Sequence, residues 1–331
     1  MKILYAIQGT GNGHVSRARE VIPYLEKYGE LDLLLSGTQA DVELSQPLRW
    51  KLHGFSFIFG KHGGVDYRKT WTTMDLRQLR KDMAMLPLEE YDLIISDFEP
   101  VTAWACRSRK IPCIGLSHQA SYLSPKTPRP ARHIPHWAEW LFRNYAPVTA
   151  AIGFHFQRYD DFIYTPIIRS EIRALRPENK GHYTVYLPAH DDHLLVALLK
   201  QIDEVPWHVF SKHCRESYRD ANVWVRPVNN TLFNDSLASC EGLLTAGGFE
   251  SPAEALFLGK KVFSIPMMGQ WEQQCNAEAL RRMGVPVMKP SEKRLGPVLK
   301  EWVKNGPLVP VDFPDHTEEI VERLVNSYCS R

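Results

Sequence analysis

The sequence lacks a long hydrophobic run. No stretch of its 331 residues reaches the roughly 20 consecutive apolar residues that a membrane-spanning helix needs. The apolar segment at the N-terminus is short and ends at Gln8-Gly9, whereas a signal peptide has a longer apolar region and a small-residue cleavage site. We therefore expect a cytoplasmic protein, and contact with the inner face of a membrane stays open.

The sequence also lacks an excess of charge of one sign and a cysteine framework. The formal net charge of +2 gives no general attraction to nucleic acid. The six cysteines include no C-x-x-C pair, which is typical of free thiols in a reducing compartment rather than of disulfides or a zinc site. No cluster of acidic metal ligands is visible, so we expect neither a metal nor another cofactor.

Two common nucleotide-binding motifs are missing as well. The chain opens with an apolar strand, a glycine-rich loop at Gly9–Gly13 and a helical pattern. The G-x-G-x-x-G fingerprint fails in both registers, because His14 or Ser16 stands where the third glycine belongs. The next strand ends at Ser36–Thr38 without an acid for a ribose, and no G-K-[ST] is present. These absences disfavour a dehydrogenase and a Walker-type phosphate loop.

What the sequence does contain is a strand, a glycine turn and a helix start in one stretch. An apolar run leads into Gly247-Gly248, which allows a tight turn with positive φ, and Ser251-Pro252 is typical of a helix start. Free amide groups and the helix dipole attract an anion there, and Glu254 in the first turn can accept hydrogen bonds from a diol. The stretch predicts a nucleotide site, and a plain strand-to-helix turn is the alternative.

A second strand-to-helix junction follows close behind. Val262–Pro266 is an apolar strand, and the segment after it contains Gln270, Gln273 and Gln274. Side-chain amides both donate and accept hydrogen bonds, which suits sugar hydroxyls. The two adjacent junctions therefore predict recognition of phosphate, diol and sugar on one rim.

With this pattern the chain resembles the donor half of GT-B glycosyltransferases, most of all MurG and related bacterial and archaeal transferases. The pattern comprises the glycine turn, a glutamate six residues after Gly248, a strand that ends in proline, and Gln-Gln followed by Asn-Ala. The resemblance implies that the glutamate binds the ribose, the turn and helix start bind the diphosphate, and the glutamines bind the sugar. The donor-binding candidates are Gly247, Gly248, Phe249, Ser251, Glu254, Gln270, Gln273 and Gln274.

Three side chains in the first half are candidates for the catalytic base. The loop that ends in His14 is similar to the cleft-facing N-terminal loop of MurG-like enzymes, which makes His14 a general base or positioning group, or else a helix-start histidine without a catalytic role. Asp97 ends a strand at the edge where α/β sheets bind ligands, and Glu99 is a further residue of that rim without a proposed role as base; a cap of the next helix is the alternative for each. His118 lies in a polar triplet after the strand Ile111–Leu116, and a similar histidine segment occurs in the same family.

The alternation of strands and helices predicts an α/β fold, and the length predicts two domains. The resemblance implies the GT-B architecture, in which two Rossmann-like doubly wound domains face each other across a cleft and a C-terminal helix crosses back to the first. We place an acceptor domain at 1–165, a donor domain at 166–315 and the crossing helix at 316–331. The glycine-rich turn that the family has after the first donor-domain strand is absent after His182–Pro188, which leaves open how that side holds phosphate.

Two further segments bear on the acceptor. Gly60–Tyr67 is rich in glycine and charge and is predicted to form a mobile loop over the cleft. Residues 124–143 combine four prolines with basic and aromatic side chains, which suits a membrane interface or a lipid-linked acceptor. A proline-rich loop that leads into a core helix is the alternative.

The resemblance thus implies an inverting, metal-independent glycosyltransferase. It would move a sugar from a nucleotide-diphospho sugar, a UDP-sugar by analogy, to a hydroxyl group of a carbohydrate or lipid-linked acceptor. Two alternatives stay open: a sugar-nucleotide epimerase of the same architecture, and a non-catalytic protein that binds nucleotide sugars. The sequence does not name the sugar, the acceptor or the nucleotide base.

Overall fold

The chain folds into two α/β units, each built on a largely parallel sheet. The structure is a computed structural model that describes residues 1–10, 12–37, 44, 46–54, 75–130, 136–267, 269–289 and 294–328. The predicted loop Gly60–Tyr67 lies outside these residues, and so do residues 131–135 of the proline-rich segment.

The first unit contains a sheet whose described strands run in the order β3-β2-β1-β4-β5-β6-β7, and every pairing is parallel. These strands are β1 (Lys2–Gln8), β2 (Glu30–Ser36), β3 (Trp50–Leu52), β4 (Leu93–Asp97), β5 (Ile114–Ser117), β6 (Ala150–Phe154) and β7 (Ile163–Tyr164). The strand order reverses between β1 and β4, and ligands bind α/β sheets at such a switch point.

Helices connect these strands and cover the sheet. They are α1 (Asn12–Leu25), α2 (Leu76–Met85), α3 (Pro100–Arg109) and α4 (His136–Tyr145), with 3₁₀ turns at Glu26–Tyr28, Leu88–Glu90 and Gln119–Leu123. Glu99 caps α3, because its carboxylate accepts hydrogen bonds from the backbone N–H groups of Val101 and Thr102 at 2.7 Å. Of the two readings of Glu99, the structure therefore shows the cap.

The second unit contains a sheet in the order β10-β11-β9-β8-β12-β13, in which only the described β10–β11 pair is antiparallel. Its strands are β8 (Tyr183–Tyr186), β9 (Trp207–Ser211), β10 (Tyr218–Asp220), β11 (Val223–Pro227), β12 (Gly242–Thr245) and β13 (Lys261–Ser264). The helices are α5 (Ser170–Arg173), α6 (Asp192–Leu199), α7 (Asn230–Ser239), α8 (Glu250–Phe257), α9 (Trp271–Arg282), α10 (Leu295–Asn305) and α11 (Thr317–Tyr328).

Two predicted details of the second unit differ from the structure. The predicted strand Met283–Val287 is reduced to a single bridge between Val287 and Ser264. Helix α8 starts at Glu250, before the start predicted at Ser251-Pro252, and no side chain caps it. Pro252 does not fix the start, because the first four N–H groups of a helix have no partner inside it and proline fits throughout the first turn.

The last helix lies on the first unit. The side chains of Ile320, Val321 and Leu324 on α11 are buried in the same apolar cluster as Val15 and Ala18 of α1. Full burial of each such aliphatic side chain stabilises the fold by about 1.5–3 kcal/mol. The chain changes sheets between Tyr164 and Tyr183, whereas the exact domain limits at 165 and 315 stay a prediction.

The described residues contain no helix with the length and apolar character needed to traverse a bilayer. The described cysteines, five of the six, are all free thiols. On α4, the Trp140 side chain is 65% exposed, so this tryptophan is not part of the core.

Candidate functional site

A cleft of about 750 Å³ separates the carboxyl ends of the two sheets. The first unit contributes His14, Phe98 and Gln119 to its walls, and the second contributes the start of α8 and the start of α9. Ligands of α/β sheets bind at this edge, so the cleft is the candidate site.

His14 and Asp97, both predicted from the sequence, form a pair on the first wall. The Nδ1 atom of His14 lies 2.7 Å from Oδ1 of Asp97, which is fully buried. Burial tends to raise the pKa of Asp97, but Arg17 and His14 outweigh it and hold that pKa below its usual value. An ionised Asp97 accepts Nδ1–H and leaves Nε2 of His14 as a proton acceptor, beside the Gln119 amide at 3.4 Å.

Phe98 forms an aromatic surface next to this pair. Its backbone has a positive φ of 54°, which is strained for a residue with a side chain. The ring lies parallel to that of His14 at 6.4 Å between centroids, and it packs against Phe142 and Tyr145 at 4.9 and 4.8 Å. The space beside His14 therefore has an apolar wall.

His118, the third catalytic candidate, is only 1% exposed. Its Nδ1–H donates to the carbonyl oxygen of Phe154 at 2.8 Å, its Nε2 faces the Asn276 side chain at 2.8 Å, and its ring stacks on Phe249 at 3.8 Å. Burial lowers the pKa of His118 to about 3, so the ring is neutral. Both ring nitrogens are engaged and His118 joins the two units, while its catalytic role stays an untested prediction.

Sequence reasoning missed Arg17, which links the two walls. Its Nη2 donates to Asp97 Oδ1 at 2.6 Å, and its Nη1 donates to Oε1 of Glu250, the first residue of α8, at 2.8 Å. Burial opposes the charge of Arg17, but Asp97 and Glu250 raise its pKa above the usual value. The signal was present: Arg17 stands three residues after His14, which places both on one face of α1.

Glu254 lies on the second wall, with its carboxylate bound by a second missed residue, Arg169. The Nη2 atom of Arg169 donates to Glu254 Oε2 at 2.8 Å, and Asn230 and Asn234 hold the same guanidinium. Burial raises the pKa of Glu254, and Arg169 opposes the shift. A carboxylate has about four acceptor positions, so a ribose contact at Glu254 remains compatible with this ion pair and stays a prediction.

The glycine turn before α8 has the geometry that the sequence predicts at one of its two glycines. Gly247 has a φ of 78°, and a Cβ atom built on it would lie 2.8 Å from the Ser264 hydroxyl. A Cβ atom on Gly248 would meet nothing within 4 Å. The backbone conformation therefore requires glycine at position 247. Gly248 borders open space and lines the cleft, as Phe249 and Ser251 do.

The different surroundings of Gly247 and Gly248 predict that alanine lowers the stability of the fold at the first position and not at the second. Gly247→Ala is expected to lower the free energy of unfolding by about 1–3 kcal/mol, because alanine pays a penalty for positive φ and would press on Ser264. Gly248→Ala is the matched control and should stay within about 0.5 kcal/mol of the parent. Urea unfolding of both variants measures the difference, and equal stabilities would contradict the assigned turn.

The glutamines reach the cleft only in part. Gln270 and Gln273 line it, and Gln273 Oε1 accepts a hydrogen bond from the backbone of Met267 at 3.0 Å. Gln274 is not among the described lining residues, whereas Glu272 is, and Glu272 accepts a hydrogen bond from Gln119 at 3.3 Å. The polar pair on this wall is therefore Glu272-Gln273 rather than Gln273-Gln274.

Comparisons with known proteins bear on this arrangement. The family model described as Glycosyl transferase family 1 matches residues 1–307. None of the curated proteins compared with the chain matches it. UGT2 of Phytolacca americana shares 15% identity at a TM-score of 0.58, covering 99% of this chain and 94% of that one.

Two other solved structures are similar to the same degree. A UDP-glucosyltransferase from Polygonum tinctorium shares 13% identity at a TM-score of 0.60, with 99% of this chain and 93% of that one covered. The glycotransferase of kitacinnamycin shares 14% identity at a TM-score of 0.60, with 99% and 95% covered. Since the family model spans nearly the whole chain, the protein belongs to glycosyl transferase family 1 and is a glycosyltransferase with the GT-B fold.

Proposed function

We propose that the protein is an inverting glycosyltransferase that moves a sugar from a UDP-sugar to a hydroxyl group. The observation that carries this proposal is that a histidine–aspartate pair and a helix N-terminus lie on opposite walls of one cleft. The two walls are close, because the single side chain of Arg17 contacts both Asp97 and Glu250.

In this mechanism the acceptor oxygen attacks the anomeric carbon from the face opposite the diphosphate. His14 Nε2 takes the hydroxyl proton, and Asp97 holds the ring and stabilises the imidazolium that forms. The bond between the anomeric carbon and the phosphate oxygen breaks, and the diphosphate leaves with the electron pair. The start of α8 stabilises this charge by about 0.3–2 kcal/mol through its dipole, with hydrogen bonds from the turn in addition.

The proposed donor contacts follow the second wall. Gly247–Ser251 face the diphosphate, Glu254 the ribose hydroxyls, and Gln270, Gln273 and Glu272 the sugar. The choice of UDP is supported by relatives, since UGT2 of Phytolacca americana was solved with UDP-2fluoro-glucose and UGT89C1 of Arabidopsis thaliana with UDP. Metal independence is part of the proposal, because the glycine turn and the start of α8 stabilise the leaving diphosphate without a metal ion.

The proposed acceptor has a hydroxyl group next to an apolar portion. The aromatic surface of Phe98, Phe142 and Tyr145 beside His14 supports this. A lipid-linked carbohydrate, as in a MurG-like role at the cell envelope, fits the description and is the finer form of the proposal. Contact of the exposed Trp140 and the neighbouring Arg143 with the inner face of a membrane would present such an acceptor.

Thermal-shift measurements with nucleotide-diphospho sugars test the donor. A donor at about 100 times its Kd adds about 2.7 kcal/mol of stability, which raises Tm by several degrees. We expect this shift with a UDP-sugar and none with the free sugar or with NAD⁺. No shift with any nucleotide-diphospho sugar would contradict the proposal. Release of UDP should then require an acceptor, and conversion of the donor alone to an epimer would indicate an epimerase instead.

A further inference from the structure

Glu250 places a carboxylate inside the candidate donor site. It is the first residue of α8, its side chain is 26% exposed, and it lines the cleft. Arg17 Nη1 donates to its Oε1 at 2.8 Å from the opposite wall. The contact between the walls is close, since a Cβ atom on Gly13 would lie 3.0 Å from Glu250 Cγ.

The sign of this charge conflicts with the proposed ligand. The helix start that would receive the diphosphate already carries the carboxylate of Glu250. Two negative groups held next to each other repel. The charged groups that face Glu250 are Arg17 on α1, Asp97 at the end of β4, Arg169 before α5 and Glu254 on α8. Burial, together with the two acids, raises the pKa of Glu250 to about 7, although the two arginines oppose the shift. Glu250 can therefore gain a proton near neutral pH.

We propose that Glu250 is a positioning residue that occupies Arg17 in the free enzyme and releases it when the donor diphosphate arrives. This inference rests on the proposed function. Arg17 keeps Asp97 through Nε and Nη2 while its Nη1 changes partner from Glu250 to the diphosphate. Glu250 takes up a proton from solvent in the same step, so no unpaired negative charge remains beside the ligand.

The exchange gives each partner of Arg17 a function. Without donor, Glu250 accepts the hydrogen bond of Arg17 Nη1. Arg17 is only 3% exposed, and a buried charge without a partner is costly. With donor, the diphosphate supplies the same charge, and Arg17 connects it directly to the carboxylate that orients His14. Donor occupancy is thereby communicated to the acceptor-side base.

Binding of UDP-glucose at several pH values tests this step, because the charge of this diphosphate diester stays constant between about pH 6 and about pH 8.5. An anion next to Glu250 raises the pKa of Glu250 further, so binding takes up a proton and affinity falls as pH rises above about 7. We expect about a tenfold loss of affinity over this range in the wild type, measured by calorimetry. Glu250→Gln should lose less than about twofold and should bind more tightly than the wild type at high pH.

Two further variants separate this role from general effects. Glu250→Asp retains the charge and should retain a pH slope, and Glu318→Gln removes the exposed ion pair with Lys27 and should leave the slope unchanged. A wild-type slope in Glu250→Gln, or weaker binding by it at every pH, would overturn the inference while leaving the proposed function in place. If the wild type binds none of a panel of nucleotide-diphospho sugars, the proposed function fails and the inference fails with it.

Discussion

Replacing His14 by alanine is expected to lower kcat/KM by about 10²–10⁴, which is the usual contribution of a positioned general base. Asp97 holds Nδ1 at 2.7 Å and leaves Nε2 directed at the space beside Phe98 and Gln119. Steady-state release of UDP in the presence of acceptor measures the loss. Donor affinity should change little, because His14 lies on the acceptor wall.

The matched control for this variant is His193→Ala, since His193 is exposed and is not among the residues that line the cleft. Its kcat/KM should equal that of the parent. A His14→Ala enzyme with full activity would remove His14 from the mechanism and leave Asp97 as the remaining candidate on that wall. Loss of donor binding together with activity would point to a structural role of His14 instead.

Replacing Arg17 by methionine is expected to lower the free energy of unfolding by about 3–5 kcal/mol, because removal of the guanidinium takes the buried carboxylate of Asp97 away from its arginine partner. Asp97 is fully buried and receives three hydrogen bonds from Arg17 at 2.6–3.1 Å. Methionine retains most of the side-chain volume over the Phe154 ring, so the effect reports the charge. Chemical denaturation measures it.

Lys27→Met provides the matched control, because the Lys27–Glu318 ion pair is as short as the Arg17–Glu250 pair, at 2.8 Å, but its side chains are 55% and 62% exposed. Such pairs contribute about 0–1 kcal/mol. In the double variant Arg17→Met, Asp97→Asn, stability should recover in part, since the orphaned charge is gone. Equal effects of Arg17→Met and Lys27→Met would show that the buried network does not stabilise the fold.

The elements of this fold that the sequence predicts are those set by neighbouring residues. The parallel strands β1, β4 and β12 are short apolar runs, and each ends in glycine or polar residues that mark the strand end. The positive φ at Gly247 follows from the same local signals. The sequence predicts the start of α8 too late, at Ser251-Pro252 instead of Glu250, because proline is compatible with every position of the first turn.

Pairs that join distant segments could not be predicted in this way. Arg17 meets Glu250 across 233 positions, and Arg169 meets Glu254 across 85, so neither contact leaves a periodic signal. The sequence predicts correctly that His118 follows the carboxyl end of β5, because the apolar run of the strand ends there. That position contains no information on what covers this edge of the sheet. Burial of His118 depends on Phe249 and Asn276 of the other unit, which the local sequence around it does not specify.

The final helix has a consequence for motion. The chain passes between the units twice, once through the segment around Ile167 and again through residues 306–316, before α11 anchors on α1. Two backbone connections therefore join the units instead of one. The second connection limits how far the walls bearing His14 and Glu250 can move relative to each other.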